Sequence, residues 1–210
     1  MTSYSRAERA ALCDLLVELG PDAPTLCGDW TTGDLATHLF VRERRPLAGP
    51  GILLRPLAGL TERSMAGARA KHDFAATVDT LRQGPPPWSP FRVLDAQLNL
   101  VEYFVHHEDV RRAGSGWAPR ELDRAEQDAL WSRLARQLRA LTRAAPVGVL
   151  MTRSDTGEVA RGQSGDRTVT VVGPPGELLL YAFGRQSVAR IDTLGDADAV
   201  RQLGQTTLGV

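Results

Sequence analysis

The 210-residue chain has two cysteines, a single lysine and no apolar run approaching the roughly 20 residues that span a bilayer. Cys13 lies inside a helical pattern and Cys27 in the loop before Trp30. Neither belongs to a CxxC or other metal-spacing motif, so both are read as small packing residues rather than as redox thiols or ligands. The N-terminal MTSYSRAERAAL lacks the charged-then-apolar order of a signal peptide, and with no spanning run the expectation is a cytoplasmic protein. Lys71 is the sole lysine, a coding bias of the kind a GC-rich genome leaves. Excess charge of either sign is also missing: 25 basic and 25 acidic residues cancel, which gives no electrostatic reason to expect nucleic acid or an anionic membrane as partner. Arg42, Arg44 and Arg45 read as a solvated helix end. Internal repeats and low-complexity segments are absent.

What is present is helical punctuation followed by strand-like runs. A first helix runs from about Ser5, with Glu8 as its capping partner, through Leu12, Leu15, Leu16 and Leu19 to a stop at Gly20-Pro21. Thr31 and Asp34 form a capping box that starts a second helix, which carries His38. The Pro- and Gly-rich segment from Pro46 to Pro56 reads as an irregular loop covering part of a pocket, and a broken helical stretch from Leu60 to Leu81 ends at Gly84 and the PPPWSP turn. Another helix starts near Phe91, and a long one follows GSGWAP with Leu130, Leu134, Leu138 and Leu141 in an apolar row. Beyond Pro146, VGVLMTR, GEVARGQ and RTVTVVG read as strands of a meander, followed by a short helix at PPGELLLYAFGR, a strand at ARIDTLGD and a closing helix. The fold class is therefore α+β, mainly α: a four-helix bundle over 1–145 and a small α+β unit over 146–210.

The chemistry sits in the stripe that should be hydrocarbon. In NLVEYFVHHEDVRRA, helical phase puts Leu94, Leu98, Val101, Glu102, Val105, His106 and Asp109 on one side, so a carboxylate and an imidazole one turn apart stand where a core is expected. His38 faces inward on its own helix. Burying such groups unpaired is costly, and two readings relieve the cost: a hydrogen-bonded polar core, or a cation held by His38, Glu102 and His106. Three ligands would leave a tetrahedral zinc one open position, as catalytic sites do; nickel or iron also suits these donors. Asp109 either orients an imidazole, takes a fourth coordination position or pairs with Arg112. His107 falls off the stripe and reads as a surface group or a support to the ligands. Trp30 and Trp88 read as core or staple residues, and His72 has no comparable setting. The spacing is Glu-x-x-x-His, which argues against a carboxylate-bridged di-iron centre. Arg185, after LLLYAFG, reads either as a carboxylate-binding group or as an ordinary charge at a helix end.

CGDWTTGDLATHLF and EYFVHHEDVRRA together resemble the Cys-x-x-Trp…His and Glu-x-x-x-His-x-x-Asp elements of the mycothiol-dependent maleylpyruvate isomerase-like family, within the DinB-like bundle superfamily. The resemblance extends to GPPGELLLYAFGR and the GD-containing tail, which are similar to that family's sterol-carrier-like C-terminal unit. It implies a DinB-like bundle, a zinc site at His38, Glu102 and His106, mycothiol as cosubstrate, and an activity-linked arginine at Arg185. HHED stands where many relatives have His-Gly-Trp-Asp, so His107 and Glu108 alter the pocket rim.

The function this implies is zinc-dependent, thiol-using transfer or isomerisation on a small electrophilic substrate: thiolate adds across an activated double bond, rotation follows, and the thiolate leaves. Arg185 would hold a carboxylate. The alternatives are hydrolysis by zinc-bound hydroxide, with Glu108 or Asp109 as proton acceptor, and a metal-binding module without turnover. The expected partners are small molecules, with no nucleic acid or membrane, and the protein a monomer or homodimer.

Overall fold

The structure is a computed structural model that describes residues 4–44, 73–86 and 99–209. The Pro46–Pro56 loop, the stretch from Leu60 to residue 72, His72, Trp88, Leu94 and Leu98 lie outside the described residues. Contacts divide the chain into two units, Met1–Trp117 and Ala118–Val210.

The first unit contains four described helices: α1 (Tyr4–Leu19), α2 (Thr32–Arg44), α3 (Phe74–Arg82) and α4 (Leu100–Arg111). Helix α1 buries Leu12, Cys13 and Leu16 and stops where Gly20 adopts φ +74°, a left-handed conformation that suits glycine. The capping box forms as read: Asp34 accepts from the Thr31 backbone N–H at 3.0 Å, and Thr31 Oγ1 accepts from the Asp34 N–H at 3.3 Å. Helix α3 starts at Asp73, whose carboxylate accepts from the Ala76 N–H at 2.7 Å. Leu12, Leu16, Leu35, Leu39, Val78, Leu81 and Tyr103 meet in one core. Helix α4 is buried nearly all round, which forces its polar residues to find partners within the protein on several faces at once.

The second unit begins with α5 (Arg124–Leu141), capped by Asp123, whose carboxylate accepts from the Glu126 N–H at 2.8 Å. Its row of Leu130, Leu134, Leu138 and Leu141 is wholly buried, as the periodicity predicts. The sequence places this helix in the N-terminal bundle and sets the boundary at 145. The contacts instead place it with the sheet, because that row packs on α6 (Pro175–Ala182) and β2 (Val159–Arg161). The other strands are β1 (Gly148–Arg153), β3 (Thr168–Gly173) and β4 (Asp192–Leu194), and α7 (Ala197–Gly204) closes the unit. Among the described residues, no helix is long and apolar enough to cross a membrane.

The strand order is β2-β1-β3-β4, with β1 antiparallel to β2 but parallel to β3, so the expected meander does not form. The SGD segment between the second and third strand runs carries the chain past the start of β1, where Gly148 N–H donates to Arg167 O at 2.7 Å and Val149 N–H to Gln163 O at 2.8 Å. That passage brings backbones into contact. A Cβ on Gly165 would lie 2.5 Å from Gly148 N and 2.9 Å from Val147 C, and neither is a flexible side-chain end. Gly165→Ala should therefore destabilise the second unit by about 1–3 kcal/mol. Gly114→Ala, where a Cβ would meet nothing within 4 Å, should stay within about 0.5 kcal/mol of wild type. Denaturant unfolding of both variants checks this, and equal stabilities would mean that the crossing is looser than described.

Candidate metal centre

Helix α2 presents His38 and Arg42 one turn apart, and α4 presents Glu102, His106 and Asp109. The three residues read as ligands come together. Glu102 Oε1 lies 3.4 Å from His38 Nε2 and 3.3 Å from His106 Nε2, and the three ligand atoms fall within 4.8 Å of one another. The two imidazole rings stand 5.4 Å apart, nearly perpendicular. His38 is buried, and its Nδ1 has no hydrogen-bond partner among the described residues.

Asp109 takes the orienting position. Its Oδ2 accepts from His106 Nδ1 at 2.9 Å, on the ring edge away from Glu102. Arg112 places Nε 2.5 Å from Glu108 and stacks over Trp117 at 4.6 Å. Glu108 also receives Arg111 at 2.9 Å, so it is occupied as a salt-bridge anchor. Two residues near the site were read from the sequence as solvent-facing or packing groups. Arg42, expected in solvent, is buried, with Nε 3.4 Å from Glu102 and Nη1 donating to Asn99 Oδ1 at 2.6 Å. Its spacing of four from His38 was the available signal. Cys27 donates from Sγ to Asp109 Oδ2 at 3.0 Å. Trp30 packs against the core as expected, with its ring 5.1 Å from that of His38.

His107 is buried, not at the surface. One residue beyond His106, its side chain turns about 100° around α4 and meets Glu8 of α1, Nδ1 to Oε2 at 2.9 Å. Glu8 is thus a buried hydrogen-bond partner of α4. Beside it Tyr103 donates to Glu43 at 2.5 Å, and Arg9 lies 4.8 Å over the Tyr103 ring. Arg185 lies in the second unit, just past Gly184 at φ +82°, with Nη1 donating to Phe183 O at 2.6 Å.

No protein-family model matches the sequence, and no curated protein matches it. Among solved structures, the mycothiol-dependent maleylpyruvate isomerase superposes with a TM-score of 0.57 at 14% identity, covering 92% of this chain and 95% of that one. A histidine-to-alanine variant of that enzyme gives 0.60 at 12% identity, with the same coverage. The chain shares that isomerase's fold. It is the enzyme whose family the sequence motifs resemble, and at this identity the likeness is one of architecture.

The electrostatics of the metal-free cluster are sharply divided. Burial pushes the Glu102 carboxyl up, but the Arg42 guanidinium and the contacts with His106 and His38 outweigh it and hold Glu102 well below the usual carboxylate range. Burial pushes His106 down, yet its contacts with Asp109, Cys27 and Glu102 carry it well above the ordinary value of 6.5. For His38 burial wins over Glu102, and its pKa falls. The metal-free protein thus holds His106 as a cation between two carboxylates, with a neutral His38 beside it. His106 contributes stability fully below 6.5 and loses it as pH rises through the elevated folded value, whereas Glu102 contributes above 4.5 and loses it as pH falls through its depressed one. In an NMR titration of metal-free protein, His106 should remain imidazolium above pH 6.5 while His38 is already neutral below it, and Asp109→Asn should move His106 downward. Two histidines titrating together near 6.5 would refute this ordering.

Proposed function

We propose that the protein is a zinc-dependent enzyme that uses a low-molecular-weight thiol, mycothiol, to isomerise or transfer to a small electrophilic substrate. The observation carrying this reading is the convergence of His38 Nε2, Glu102 Oε1 and His106 Nε2. Ligands about 2.0–2.1 Å from a tetrahedral zinc lie roughly 3.3–3.4 Å apart, and the separations of 3.4 and 3.3 Å about Glu102 agree. The fold likeness to a mycothiol-dependent isomerase adds the thiol and the reaction class. On this reading the first unit is a DinB-like four-helix bundle and the second is sterol-carrier-like.

Zinc held by His38, Glu102 and His106 would supply a cationic centre that lowers the pKa of a thiol brought to it, favouring thiolate at neutral pH. The protein's own groups prepare for this. Asp109 fixes the His106 ring with Nδ1 protonated, leaving Nε2 as the donor, and His38 is already neutral. Arg42 keeps Glu102 anionic. Loading displaces the second proton of His106, so metal affinity falls as pH falls. Arg185 recognises a substrate carboxylate; its guanidinium suits a bidentate contact.

Protein purified without chelators should carry about one zinc per chain; nickel or iron would satisfy the same donors. Alanine at His38, Glu102 or His106 should remove most of it. His107→Ala should keep the metal, while costing roughly 1–3 kcal/mol of stability because it removes a buried hydrogen bond between α4 and Glu8. Metal analysis beside thermal unfolding separates the two effects, and metal content unchanged in the Glu102 and His106 variants sinks the site.

With maleylpyruvate and mycothiol as substrates, Arg185→Ala should lower kcat/KM about ten- to a hundred-fold with zinc content unchanged. Full activity in that variant removes Arg185 from the reaction. Zinc binding with no turnover by the wild type, and no thermal shift with mycothiol, would make the chain a metal-binding module instead.

A further inference from the structure

The thiol of Cys27 occupies a position that packing alone does not require. Its Sγ lies 3.0 Å from Asp109 Oδ2, the same oxygen that accepts from His106 Nδ1 at 2.9 Å. Asp109 is fully buried. One carboxylate oxygen therefore gathers two donors, an imidazole N–H from its own helix and a thiol from a separate loop.

That loop is built to hold the thiol still. Leu26 N–H donates to the Asp109 carbonyl at 3.0 Å, so Asp109 is gripped through both backbone and side chain. Inside the loop, Thr25 Oγ1 donates to Trp30 O at 2.8 Å and accepts from the Cys27 N–H at 3.1 Å. Gly28 makes the turn at φ +63°. The geometry points to Cys27 as a positioning residue of the metal centre, acting through Asp109 on His106; this rests on the zinc reading above.

Direct ligation by the thiol is the competing reading, since Cys27, His106 and Asp109 are themselves close enough to share an ion. The two readings load opposite edges of the His106 ring, and the convergence of His38 and Glu102 favours the Nε2 edge. Glu102 and His38 converge at Nε2, whereas the sulfur lies 3.8 Å from Nδ1, and one imidazole nitrogen cannot both donate to Asp109 and bind a metal. With the Cys27 donor gone, the Asp109 carboxylate loses a restraint, the His106 ring loosens, and Nε2 is less closely pre-aimed. Groups that hold a metal's histidine ligand typically govern affinity ten- to a hundred-fold, and Cys27 acts one contact further out.

The test measures zinc Kd by competition with a chromophoric chelator, together with the His106 Nδ1–H signal in metal-free protein. We expect Cys27→Ala to weaken zinc binding about three- to ten-fold and to broaden or shift the His106 signal, and Cys27→Ser, which keeps a donor, to restore most of both. On an Asp109→Asn background, Cys27→Ala should add nothing. Cys27→Ala matching wild type, or Cys27→Ser failing as badly as Cys27→Ala, overturns the role of the thiol. A Cys27→Ala loss as large as that of His106→Ala would make the sulfur a ligand instead, which also overturns it. His106→Ala separates this from the parent reading. If that variant binds zinc like wild type, the metal centre is misplaced and the proposal falls with it. If it loses zinc while Cys27→Ala does not, only the proposal fails.

Discussion

A carboxylate, an imidazole and a second carboxylate, Glu102, His106 and Asp109, lie along two turns of α4, with His106 contacting both acids at 3.3 and 2.9 Å. Two buried anions need positive charge between them, and in the metal-free protein the imidazolium and the nearby Arg42 supply it. Much of the first unit's arrangement serves this requirement. Helix α2 must approach closely enough to bring His38 and Arg42 to Glu102, and the 25–31 loop must fold back to meet Asp109. On the proposed reading, a divalent ion would take the place of that proton in the same charge pattern.

Helix α4 carries a second buried polar cluster on another face, where His107 meets Glu8, and Tyr103 and Arg9 both meet Glu43. The two clusters differ in kind. In the second, each titratable side chain has its counter-group already in place, so the set ties α1, α2 and α4 together. In the first, donors from two helices, His38 Nε2, Glu102 Oε1 and His106 Nε2, point at a common centre. Adjacent histidines on one helix thus serve different ends, separated by a single residue's rotation.

Helical phase made much of this legible. Period and caps located α2, α5 and the Glu102-His106 pair, because a 3.6-residue repeat fixes which side chains share a face. It does not say what covers the other faces. His107 and Arg42 read as solvent-directed because their partners, Glu8 and Asn99, are 99 and 57 residues away in sequence. The Cys27–Asp109 contact was hidden for the same reason, the two residues lying 82 apart in sequence. In the second unit the strands were visible as runs but their pairing was not. A Ser-Gly-Asp segment permits a hairpin and a crossing equally well, and the choice falls to the buried pairing of Val149 and Met151 with Val169 and Val171.

Placing the two six-residue strands at the centre of the sheet leaves three-residue strands, β2 and β4, at its margins. Each margin exposes a large aliphatic side chain, Val159 or Leu194, of the sort that invites a foreign strand to add on. Margins this short offer only a bond or two of ladder before the backbone turns away. The sheet therefore ends itself, and its self-association is limited by how little strand is left to copy.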